Sequence, residues 1–250
     1  MNQLLRIEEF RTALDGYRPS ETAAGILGRT RLILLVAASA SGRNTIIAHL
    51  LKTGSYHFII SDTTRLPREN NGVLEQNGRE YWFRSEDEVL NDLRQGKFLE
   101  AEIIHGQQVS GISIRELQKA CDDEKIAITD VDIGGLQNIL KAKPDTVPLL
   151  VLPPDFAEWQ HRLHARGEVP PDEFRRRMET ASRIFAAAAD DHRFTVVVNN
   201  NLAEAVMEVD HIAKGNAPDP KQQAAGYQLA HELHRATEEL LEQLPGTLDL

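Results

Sequence analysis

Leu32 to Thr45 reads LILLVAASASGRNT. Its first half is a short apolar run rich in branched aliphatics, the pattern of a strand buried in a parallel sheet. Small residues follow, and Ile46 to Leu51 has helical character. Strand, small-residue loop and helix together form a cradle for phosphate. Tightly turned N–H groups and a helix N-terminus supply positive potential without any side chain. Against the frame G-x-x-x-x-G-K-[ST] the chain offers Ala37, Gly42, Arg43 and Asn44, so only the second glycine is kept. Arg43 stands where a lysine would reach the phosphates, and the amide of Asn44 where a hydroxyl would meet magnesium. Read alone, the stretch is open to two readings, a phosphate loop or a plain strand-to-helix turn.

The flanking sequence repeats the strand-then-helix alternation. Strands are expected at Tyr56–Ser61, Ile126–Asp132, Val147–Leu152 and Phe194–Asn199, with helices at 155–166, 173–189 and 202–213. This alternation predicts a doubly wound α/β fold. Asp130 and Asp132 end one strand on one side, where open parallel sheets bind ligands, although Asp132 would equally suit a helix N-cap. Residues 62–113 interrupt the alternation as a separate lobe. It holds the aromatic strand Tyr81-Trp82-Phe83 and a helix Glu86–Arg94 capped by Ser85 and closed by Gly96. An alternating strand Phe98–Ile104 then puts Glu100 and Glu102 on one face. Ser113 is expected to cap the helix Ile114–Glu124. The lobe opens with SDTTRLPR (Ser61–Arg68), where Arg65 and Arg68 beside several hydroxyls make either an anion receptor or a solvated polar loop. Arginines also gather at 162, 166 and 175–177, around the GEVPPD loop and its acids, Glu168 included.

Outside this core, residues 2–15 predict a short amphipathic helix, and 16–30, with Pro19, Gly25 and Gly28, a connector. Gly215–Pro220 reads as a linker to a last amphipathic helix over 221–244. The expected division is therefore a helical extension at 1–30, a body at 31–214, and a linker with helix at 215–250. These terminal helices offer surface to a second copy or a protein partner. The net charge of −10 argues against nucleic acid as partner. A single cysteine, Cys121, excludes an internal disulfide framework. No apolar run is long enough to span a bilayer and the first residues carry acids, so no membrane association and a cytoplasmic location are expected.

In joint order and spacing, SDTTRLPR, Tyr81, FLE ending at Glu100, His105-Gly106, TDVDIGG (129–135), LPP (152–154), ARG (165–167) and VVVNNNLAEA resemble guanylate kinase over residues 31–214. The resemblance implies a P-loop NTPase-type parallel sheet with an inserted GMP-binding lobe and a helical lid at 166–177. It implies that Ser61, Arg65, Arg68 and Tyr81 hold the phosphate of GMP, and that Glu100 and Asp132 read the guanine edge. A carboxylate accepts from the N1–H and N2–H₂ donors of guanine, which adenine lacks. Ser39, Ser41, Gly42, Arg43, Asn44 and Thr45 would cradle ATP, with Asn199 near its adenine. Arg43, Arg166 and Arg177 would neutralise the transferring phosphoryl, and Asn44 and Asp130 would serve a Mg²⁺ ion.

The departures from the family lie mainly in the donor loop. Against a GPSGAGKST-type loop, two glycines have become Ala37 and Ala40, the lysine Arg43 and the serine Asn44. An added Cβ obstructs close phosphate approach and any turn at positive φ. A second phosphate-binding tyrosine is replaced at Val109 or Ser110. Two functions are therefore implied. One is phosphoryl transfer from ATP to GMP, weakened by the loop. The other is a non-catalytic module that binds GMP or a phosphorylated protein partner through the same lobe.

Overall fold

The computed structural model describes residues 4–70, 72–167, 169–190 and 192–244. Asn71, which the sequence marks as a turn-former between Arg68 and Tyr81, and the loop acid Glu168 lie outside the described residues. The elements run α1 (Ile7–Leu14), α2 (Glu21–Arg29), β1 (Leu32–Ala37), α3 (Arg43–Lys52), β2 (Tyr56–Phe58), β3 (Asp62–Thr63), β4 (Glu69–Asn70) and β5 (Val73–Leu74). Then follow β6 (Trp82–Phe83), α4 (Glu86–Arg94), β7 (Phe98–Ile104), β8 (Gln108–Ser113), α5 (Ile114–Asp122), β9 (Ile126–Asp130) and α6 (Ile133–Ala142). The chain closes with β10 (Val147–Leu152), α7 (Phe156–His164), α8 (Pro171–Asp190), β11 (Thr195–Val198), α9 (Leu202–Ala213) and α10 (Pro220–Gln243). The fold is mixed α/β on parallel strands, as the sequence predicts.

The described residues pack as two compact units, and each has its own core. The first holds residues up to Leu32, Gly54–Thr129 and Gly134–Thr146; the second holds Ile33–Thr53, Asp130–Ile133 and everything from Val147.

In the second unit β1, β10 and β11 pair in parallel, with Leu35 opposite Leu149 and Leu150 opposite Val196. All six residues of β1 are buried, which is why its sequence shows no alternation. The helix expected from Ile46 starts three residues earlier, at Arg43, directly after Gly42. Asp155, Asn201 and Asp219 cap α7, α9 and α10 through their side chains. Helix α10 lies along α8 and β11. The Gln223 amide there accepts from Val196 N and donates to Val196 O, each at 2.8 Å, taking the place of a further strand.

In the first unit β2 pairs β9 in parallel, and a four-stranded sheet runs β6-β3-β8-β7. Three expectations need correction here. Residues 16–30 are not a connector: Glu21–Arg29 is helical, with Ser20 accepting from Ala23 N. Gly25 and Gly28 sit where a side chain would meet nothing, so their propensity cost is outweighed by burying Ala23 and Leu27. Ser113 occupies the N-cap position of α5, but it is also the last residue of β8, and its buried hydroxyl has no hydrogen-bond partner among the described residues. Strands β2 and β9 stop at Phe58 and Asp130, so Ser61 and Asp132 fall in the segments that follow them.

Candidate functional site

The loop of the second unit is built around two residues at positive φ. Gly42 has φ +97, and a Cβ there would come within 2.0 Å of Asn199 Nδ2, so only glycine fits. Ala40 has φ +67 and adopts the left-handed turn despite its methyl group. Its side chain therefore does not prevent the turn that was expected to be obstructed; it strains it, a conformation that costs an L-residue about 1–2 kcal/mol. Around this turn the body closes in. Asn199 Nδ2 donates to Ser41 O at 2.8 Å, Trp159 Nε1 to Ser39 O at 2.7 Å, and Arg162 Nη1 to Asn199 O at 3.0 Å. Ser41 is fully buried and its hydroxyl has no partner among the described residues. The N–H groups of Arg43, Asn44 and Thr45 open the first turn of α3, where no intrahelical acceptor exists. A cavity of about 380 Å³ is lined here by Gly42, Thr45, Arg162, Arg166 and Asn199, among others.

Arg43 is turned along this loop. Its Nη2 lies 2.6 Å from Asp130 Oδ2, and its Nε donates to Asn44 Oδ1 at 3.2 Å. The two side chains that the resemblance assigns to magnesium are therefore both held by a guanidinium. In this arrangement they do not fit a divalent ion, because the cation already neutralises the carboxylate. Asp132 is exposed beyond β9. Arg166 is exposed at the cavity, whereas Arg177 Nε donates to Glu173 Oε1 at 3.0 Å.

The first unit gathers the other set. Arg65 makes a bidentate pair with Glu75, Nη2 to Oε1 at 2.9 Å and Nη1 to Oε2. Its Cζ lies 4.7 Å from the ring centre of Tyr81 and 5.5 Å from that of Phe83. Arg68 N donates to Glu75 Oε2 at 2.8 Å, while the residue itself is exposed. The Arg65 hydrogen bond holds the Glu75 carboxyl at about 2. Ser61 O accepts from Trp82 N at 2.9 Å, tying SDTTRLPR to the aromatic strand. Of the two candidates for the missing tyrosine's position, Ser110 donates to Thr63 Oγ1 at 2.9 Å and Val109 is buried. Glu100 Oε1 accepts from Ile112 N at 3.2 Å across an irregularity in the β7–β8 ladder between Phe98 and Glu100.

The structure thus brings together Arg65, Arg68 and Tyr81 in one unit, and Arg43, Asn44 and Asp130, with Ser41, Gly42 and Asn199, in the other. Sequence reasoning missed Glu75, Trp159 and Arg162 as supports of these groups. Glu75 follows Arg65 by ten residues through a hairpin, and no periodicity marks such a pair. Arg162 was visible only as one of an arginine cluster.

Comparison with known proteins gives a consistent result. A family model described as guanylate kinase matches residues 29–215. Guanylate kinase of Porphyromonas gingivalis is 34% identical over 184 residues, 72% of this chain and 94% of that protein. Guanylate kinase of Corynebacterium diphtheriae is 32% identical over 188 residues, 74% of this chain and 95% of that one. The crystal structure of guanylate kinase from Anaplasma phagocytophilum aligns with a TM-score of 0.52 at 19% identity, covering 78% of this chain and 86% of that one, a likeness of fold.

Proposed function

The chain belongs to the guanylate kinase family, and on that premise we propose that it binds GMP and transfers to it the γ-phosphoryl group of ATP, giving GDP and ADP. The observation that carries this reading is the Arg65 assembly. A guanidinium held by Glu75 and set over Tyr81, with Arg68 exposed three residues on, supports a phosphate receptor in which Arg65 must share or leave Glu75 to meet the dianion.

In this reading Ser61, Arg65, Arg68 and Tyr81 hold the GMP phosphate, and Glu100 and Asp132 accept from guanine. The N–H groups at the start of α3, with Ser39, Ser41 and Gly42, take the donor phosphates, and Asn199 lies near the adenine. An oxygen of the GMP phosphate attacks the γ-phosphorus in line, and the bond to the ADP oxygen breaks. Arg43, Arg166 and Arg177 stabilise the charge on the equatorial oxygens, where positioning and electrostatics supply nearly all of the catalysis. Arg43 must leave Asp130 to do so, and Arg177 must leave Glu173.

A second reading, a module that binds GMP or a phosphorylated protein segment without turnover, is favoured by one observation: Arg43 is satisfied by Asp130 and Asn44. Calorimetry with GMP and with ATP–Mg²⁺, followed by a coupled turnover assay on the same sample, separates the two. Binding of both with turnover is expected. GMP binding without ATP binding or turnover supports the module, and a gain of turnover in Arg43→Lys/Asn44→Ser would then assign the loss to the loop. Failure to bind GMP would sink both readings in their nucleotide form.

A further inference from the structure

The segment before residue 29, outside the family match, is stitched into the first unit along the elements that carry Glu100. Phe10 is fully buried in one apolar cluster with Leu4, Val89, Leu90, Leu93, Phe98 and Val109. The backbone N–H groups of Leu5 and Arg6 donate to the Glu86 carboxylate at 3.1 and 2.9 Å, which ties the start of α1 to the first turn of α4. Arg94 Nη2, from the last turn of α4, reaches Glu9 Oε2 at 2.7 Å.

Besides the apolar packing of Phe98, the segment makes hydrogen bonds to β7 itself. This strand ends its sheet, so the outward N–H and C=O of Phe98 have no neighbouring strand to pair with. The Tyr17 hydroxyl takes both: it accepts from Phe98 N at 2.9 Å and donates to Phe98 O at 2.9 Å. Burial pushes the Tyr17 phenol up, so it keeps the proton that Phe98 O accepts at neutral pH. Beside it Ser20 N donates to Gly96 O at 2.9 Å. Gly96 has φ +63, and a Cβ there would lie 2.5 Å from Ser20 N, so the approach of the two backbones requires glycine. Between Phe98 and Glu100 lies the ladder irregularity, and directly after it Glu100 accepts from Ile112 N.

We propose that Tyr17 is a positioning residue for acceptor recognition: by pairing the free edge of Phe98 it fixes the irregular turn of β7 that aims the Glu100 carboxylate at the purine edge. The proposal rests on the reading of Glu100 as a guanine ligand. It makes the N-terminal segment a part of the acceptor site at one remove, although that segment lies outside the matched family region.

The test uses the full chain and the isosteric variant Tyr17→Phe, with GMP and inosine monophosphate, which lacks the N2 amine, titrated by calorimetry. The expected result is GMP affinity about fivefold weaker, the worth of one hydrogen bond, with ATP affinity unchanged. The preference for GMP over inosine monophosphate should narrow by a similar factor. In a Glu100→Gln background the Tyr17→Phe substitution should add nothing further, an outcome that general loosening of the fold would not produce. Hydrogen exchange gives a second readout: faster exchange confined to 98–101 is expected, with the β10 amides unchanged. A GMP preference in Tyr17→Phe equal to that of the unaltered chain overturns the proposal alone. Failure of the unaltered chain to bind GMP overturns it together with the reading it rests on.

Discussion

Each unit holds an arginine assigned to a phosphate, and the two are held in different ways. Arg65 is fixed by Glu75, a residue with no assigned ligand role, and lies against Tyr81 and Phe83. Arg43 is held by Asp130 and Asn44, which are themselves assigned to the phosphate and its ion. One guanidinium is supported by its surroundings, and the other is occupied by its own site. On the proposed reading, the contrast bears on how an arginine would serve where the resemblance implies a lysine. A planar fork reaches sideways to any carboxylate at the right distance, whereas an ammonium is a point charge. In the unit proposed to bind the acceptor, the arginine is held by a residue outside the proposed ligand set. In the loop proposed to bind the donor, the arginine is held by an aspartate of the proposed ligand set itself.

This comparison can be broken or sharpened by substitution. The largest effect is expected from Arg65→Ala, which should weaken GMP binding about 100-fold, in the range for truncating one partner of a buried charge pair, while ATP binding stays as it was. Equal losses for both ligands in calorimetry would abolish the distinction between the units. Next comes Asp130→Asn, which releases Arg43. A pair with side-chain exposures of 23% and 37% is worth about 1 kcal/mol, so ATP should bind about fivefold tighter and GMP as before. Weaker ATP binding would mean that Asp130 organises the loop rather than occupying its arginine.

Ala40→Gly should raise stability by about 0.5–1 kcal/mol, because relief of the left-handed strain exceeds the entropy that glycine loses on folding. Chemical denaturation measures it, and a destabilised variant would place the strain elsewhere. The smallest effect is a pH dependence. Glu75 is lowered from its ordinary 4.5 to about 2 by Arg65, so its contribution is present above 4.5 and is lost as the pH falls through 2. The stability difference between the unaltered chain and Glu75→Gln should stay level from neutral pH to about 4.5 and close below it. A difference that changes between pH 5 and 7 would assign it to another group.

Much was legible from the chain alone. The alternation of apolar runs with helical stretches specified parallel strands between helices, because a strand buried on both faces must be apolar throughout, and β1 is. The order of short motifs identified the family, and the starts of α4 and α7 were marked by their capping residues, Ser85 and Asp155. The elements that were expected fall within a few residues of those observed, while α2, whose two glycines masked a helix held by burial, and also α6 and β8 were not expected.

Tertiary structure alone decided which partner each charge takes. That Arg65 meets Glu75, Arg43 meets Asp130, Tyr17 meets Phe98 and Gln223 meets Val196 follows from no period or motif. Each pairing joins side chains or backbone groups that neither helical nor strand spacing places on one face. Their free energies depend on distance and burial, which exist only once the chain has folded. Sequence therefore specifies what the elements are and which residues carry charge, while the fold determines which partner each charge meets.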